Sequence, residues 1–62
     1  MMLRTNSGIQ AGSLYRDRNF VVVRVHSTDM DRGTVTYSPV GQEWSITTAM
    51  IIFQSRFIRF EL

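Results

Sequence analysis

The sequence predicts an all-β domain of five short strands, with one short helical turn before the last. Composition is the first reason. Six Val, five Ile, six Thr and seven aromatic residues stand against two Ala, three Leu, two Glu and no Lys. Residues that suit a pleated, half-buried surface therefore outnumber good helix formers. The second reason is alternation of apolar and polar residues over short runs. The third is the regular punctuation by Asn, Asp, Gly and Pro, which cuts the chain into pieces of strand length.

Residues 1–11 show no periodic apolar face and include Asn6-Ser7-Gly8, so they read as a flexible N-terminal tail, leaving 12–62 as the domain. Ser13 to Arg16 is the first expected strand, and Asp17-Arg18-Asn19 is its hairpin loop. Asn19 is the residue expected to take positive φ there. Phe20 to Ser27 is the strongest strand: Val21, Val23 and Val25 form an apolar inner face, while Phe20, Val22, Arg24 and His26 form a mixed outer face. A turn over residues 28–33 places Gly33 at positive φ. Thr34 to Ser38 follows, with Val35 and Tyr37 inward.

Pro39-Val40-Gly41 suits a β-turn with proline at its second position. Glu43 to Thr47 is the fourth strand, with Trp44 and Ile46 on one face and Trp44 expected in the core beside Val23, Val35 and Phe60. An outward Trp44 would instead be a ligand-stacking candidate. Thr47 or Thr48 is expected to cap a helical turn that carries Met50, Phe53 and Phe57 on one side. Arg56 to Leu62 alternates again, with Ile58, Phe60 and Leu62 opposite Arg59 and Glu61. Five strands joined by tight turns, with a first-to-last contact that shields the edges, form the pattern of a small SH3-like barrel of the KOW, Sm or Tudor type. An OB-like barrel is the alternative, and usually needs a longer chain and helix.

With 62 residues the chain is one domain, which buries only about 60% of the surface its unfolded form exposes. Cysteine is absent, which removes disulfides and thiolate chemistry. The single His26 anchors no metal without carboxylates around it. No apolar run approaches the ~20 residues of a membrane span, and the polar first ten residues do not resemble a secretory signal. A cytoplasmic protein without cofactor, metal or membrane partner is expected. The isoelectric point of about 9.9 overstates the charge. The net charge is only +2, and all seven basic residues are arginine, which stays protonated at high pH. Arginine does suit bidentate phosphate contacts and aromatic stacking better than lysine.

Few residues carry chemistry. Asp29-Met30-Asp31-Arg32-Gly33 starts like a calcium loop, but positions six and twelve are Thr34 and Val40, where glycine and glutamate are required. His26, Asp29 and Ser27 or Ser45 supply triad residue types without a Gly-x-Ser-x-Gly turn. Gly8 and Gly12 have no following lysine for a phosphate loop. An enzyme is therefore not expected. What remains is the outer face, where Arg16, Arg18 and Arg24 accompany Phe20 and His26. Cations that track phosphate beside a ring that stacks on a base are what RNA or single-strand binding uses, so a non-catalytic module contacting nucleic acid or a nucleoprotein complex is expected. The competing expectation is an adaptor that binds another protein through an edge strand or apolar patch.

Gly12-Ser13-Leu14-Tyr15-Arg16-Asp17, Val21-x-Val23-x-Val25, Asp31 ahead of Val35-x-Tyr37, and Phe53-x-x-x-Phe57 together resemble a family. It is that of short uncharacterised prophage proteins from lambdoid phages of enteric bacteria, and the resemblance covers residues 12–60. This chain departs from it at Asn19, where the family has glycine, and at Ile51-Ile52, where it has a proline. The resemblance implies a phage early or accessory protein acting in the bacterial cytoplasm. It implies no activity.

Overall fold

A computed structural model describes residues 9–61. Five strands and one helix follow in the order β1 (Leu14–Arg16), β2 (Val22–Asp29), β3 (Thr34–Pro39), β4 (Ile46–Ala49), α1 (Met50–Arg56) and β5 (Ile58–Arg59). The strands form one antiparallel sheet in the order β4-β3-β2-β1-β5. The fold is thus mostly β, and the expected pairing of first and last strands is present through Tyr15↔Arg59 and Arg16↔Ile58. Phe60 N–H continues it by donating to the Leu14 carbonyl at 3.0 Å. The sheet is open, with β4 and β5 as its edges.

The inward residues of the central strands make the core. Tyr15, Val23, Val25 and Val35 are buried together with Phe53 of the helix. Phe53 lies at the centre of an aromatic cluster: it meets Tyr15 and Tyr37 edge-on, each with centroids 5.2 Å apart, and stacks on Phe57 at 4.6 Å. Ile9 and Met50 pack against the same core. Ile9 falls within the segment expected to be a tail, while residues 1–8 and Leu62 lie outside the described residues.

The helix is real but begins differently from expectation. Ala49 is its N-cap and makes no side-chain cap bond. The Met50 N–H instead donates to the Gly33 carbonyl at 2.7 Å, so the turn before β3 supplies the cap. The Thr47 hydroxyl is engaged with that of Thr36, its cross-strand partner, at 2.8 Å. A helix of seven residues has no stability of its own; burial of Phe53 holds it in place.

Turns and strand ends depart further from the expected pattern. The positive φ of the first hairpin belongs to Phe20 (φ 62°), one residue after Asn19. That left-handed residue interrupts the alternation, so Val21 is exposed and β2 starts at Val22. Pro39 is the first, not the second, residue of its turn: Gln42 N–H donates to the Pro39 carbonyl, and Gly41 has φ 91° at the third position, where a type II turn places glycine. This turn delays β4 to Ile46 and leaves Trp44 outside it, 53% exposed, with its ring N–H donating to Gln42 Oε1 at 3.3 Å. Finally, β5 is only two residues long and Ile58 is exposed, because Ile58 pairs with Arg16 and shares the outer face with it.

Two predictions follow from this core. Phe53→Ala should cost roughly 3–5 kcal/mol, close to the whole stability of a domain this small, as read by urea denaturation. Trp44 should emit near the wavelength of free tryptophan, and Trp44→Ala should shift the urea midpoint little. A blue-shifted emission would return Trp44 to the core.

Candidate nucleic-acid interface

The strand directions gather several elements at one end of the sheet. The β1–β2 hairpin tip, the β3–β4 connection and the C-terminal end of α1 all lie there, since each strand reverses its predecessor. The Val40 N–H donates to the Val22 carbonyl at 3.0 Å and ties the β3–β4 connection to the start of β2. An open groove of about 510 Å³ is lined at this end by Arg16, Asp17, Arg18, Asn19, Ser55, Arg56 and Ile58.

The hairpin tip is a tightly bonded unit. Asp17 N–H donates to the Val21 carbonyl, and Phe20 N–H donates to the Asp17 carbonyl. This is the three-residue loop in which the third residue takes the left-handed conformation. Asp17 Oδ1 accepts from both Asn19 N–H and Val21 N–H at 2.9 Å. Phe20 is a bulky residue in a conformation that costs an L-residue roughly 1–2 kcal/mol. Part of that cost is offset by Arg16, whose guanidinium carbon lies 4.1 Å from the Phe20 ring centroid, an exposed contact of about 0.5–1 kcal/mol. Arg16 Nη1 also donates to the Asp17 carbonyl at 3.1 Å. The ring of Phe20 stays 63% exposed.

Of the expected site residues, Arg16 and Arg18 line the groove and Phe20 flanks it. Arg24 and His26 do not line it. Arg24 Nη1 donates to the Gly12 carbonyl at 3.3 Å. His26 is the extra residue of a β-bulge between Val25 and Ser27, and the bulge turns its Nε2 onto the hydroxyl of buried Ser38. Arg56 was not among the expected site residues. Reading Arg56 as the start of a strand hid its position as the last residue of a helix, where a cation is favoured by the carbonyl dipoles. A seven-residue helix with Phe53 and Phe57 inward was the available signal.

Electrostatically, the groove is cationic. Three arginines and Asp17 leave it a formal charge of +2, equal to that of the whole chain. Among the described residues the one ion pair is Arg32 with Asp29, in the β2–β3 turn at the far end of the sheet. There the Asp29 carboxylate also accepts from the Arg32 N–H, as a turn rather than a cation loop. No group of three or more His, Asp or Glu among the described residues is placed to hold a metal ion. No described helix is long and apolar enough to cross a membrane.

No protein-family profile, characterised protein or solved structure matches the chain.

The hairpin tip rests on Asp17, so Asp17→Ala should lower stability by about 1 kcal/mol, while Asp17→Asn, which keeps an acceptor, should recover most of it. Urea midpoints measure both. Equal losses would show that charge rather than hydrogen bonding organises the loop.

Proposed function

We propose that this protein is a non-catalytic binding module that contacts nucleic acid through the Arg16–Arg18–Arg56 groove. One observation carries the reading: three arginines line a single open groove at the end of the sheet that also exposes Phe20 and Trp44. Guanidinium groups bind phosphate oxygens in a bidentate fork, and exposed rings stack on bases without sequence preference. Trp44 therefore joins Phe20 as a stacking residue. Arg24 and His26 are left out of the contact surface, since neither lines the groove. The strand order, with β5 beside β1 and a short helix before it, supports an SH3-like barrel type as the scaffold. The resemblance to short prophage proteins supports an accessory role in the cytoplasm of a phage-bearing bacterium.

A second reading has its own observation. β4 is an edge strand without charged residues, and Ile46 on it is exposed. Such an edge suits strand addition by a host or phage protein.

Salt separates the two. Nucleic-acid affinity should fall with salt, and each of Arg16→Ala, Arg18→Ala and Arg56→Ala should reduce the magnitude of the log–log salt slope, by no more than about 0.7 for a single strand. Phe20→Ala and Trp44→Ala should each cost about 1–3 kcal/mol of binding and leave the slope unchanged. Absence of any NMR shift changes with single- or double-stranded oligonucleotides at low salt would end this reading and favour the adaptor.

A further inference from the structure

The arrangement of the arginines narrows the ligand. A surface that tracks the backbone of a long strand needs a row of cations. The six arginines among the described residues do not form one. Arg24, Arg32 and Arg59 lie outside the groove, Arg24 against the Gly12 carbonyl, Arg32 beside Asp29 and Arg59 over the Tyr15 ring. The remaining three, Arg16, Arg18 and Arg56, meet at one concave site. Its formal charge of +2 matches a phosphate monoester, which carries about −1.5 to −2 near neutrality and presents three acceptor oxygens. An internal phosphodiester carries a single charge and two such oxygens. The volume of about 510 Å³ falls within the range of small-molecule pockets, about 300–1,000 Å³.

From this we infer that the groove recognises the terminal phosphate monoester of a nucleic-acid strand. The inference rests on the nucleic-acid reading above. Arg18 from the hairpin tip and Arg56 from the end of α1 reach the phosphate from two different elements, and Arg16 joins them in the groove with its guanidinium against the Phe20 ring and the Asp17 carbonyl. The terminal base then lies beside the exposed ring of Phe20, next to Arg16.

The test compares one short single-stranded oligonucleotide bearing a 5′-phosphate, a 3′-phosphate or hydroxyl ends, with inorganic phosphate as a fourth ligand, by calorimetry on the full chain. A phosphorylated end should bind at least about tenfold tighter than hydroxyl ends near neutral pH. Its advantage should shrink as the solution is taken below the second phosphate pKa of about 6. Loss of one ligand charge weakens the contact, so affinity falls as pH falls. The groups that line the groove are Arg16, Asp17 and Arg18 of the hairpin and Arg56 of the helix, and the hydroxyl-ended strand at the same pH values subtracts any titration of the protein.

Arg56→Ala and Arg18→Ala should each abolish the preference for a phosphorylated end while leaving the far-ultraviolet spectrum unchanged. If either fails to fold, the other gives the result. Equal affinity for phosphorylated and hydroxyl ends would overturn the inference but leave the binding module intact. No binding by any oligonucleotide would overturn both. Inorganic phosphate binding as tightly as the phosphorylated strand would make the ligand a free anion and overturn the assignment to a strand end.

Discussion

Phe53 is the contact on which the rest of the structure depends. It is the one buried residue of the helix, and it inserts between Tyr15 of β1 and Tyr37 of β3 while stacking on Phe57. A helix of seven residues with no side-chain cap does not form for its own sake. Phe53 fixes both its position and its direction, and so delivers Arg56 to the hairpin tip and Ile58 to β1. Aromatic pairs contribute beyond the area they bury, and a core of five buried residues depends on that extra term. The charge of the groove is therefore a consequence of packing about one ring.

The hairpin tip is the second fixed point. Asp17 satisfies two backbone N–H groups with one carboxylate oxygen and accepts two further bonds at its carbonyl, from Phe20 N–H and Arg16 Nη1. That bonding holds Phe20 in the left-handed region against its steric preference and keeps the ring exposed beside Arg16. Strain of this kind persists only where the surroundings over-determine it. Glycine would occupy the position at no steric cost, but would remove the ring against which Arg16 lies.

Small size shapes the surface as well. Val40, Trp44, Ile46, Ile51, Ile52 and Ile58 are all exposed, because a chain of 62 residues has too little interior to take every apolar side chain. Exposure alone thus marks no site. Position and ring chemistry together separate Phe20 and Trp44: Val40 and Ile58 stand at the same end of the sheet but carry no ring, and Ile51 and Ile52 lie on the exposed side of the helix.

The sequence by itself determined the all-β character, the central strands and the inward residues Val23, Val25, Val35 and Tyr37, because alternation is a local property of two neighbouring residues. It also determined the helical spacing of Met50, Phe53 and Phe57, and the positive φ of Gly33. Tertiary structure decided what depends on distant partners. The exact residue that turns the first hairpin depended on how Asp17 bonds across the loop, which moved the left-handed residue from Asn19 to Phe20. Trp44 lay outside because a turn beginning at Pro39 delayed the next strand to Ile46. Arg18 and Arg56 are far apart in the chain, and only the packing of Phe53 against β1 and β3 brings them to one groove. A local pattern names which residues can face outward; which of them meet is settled by contacts between residues the pattern never compares.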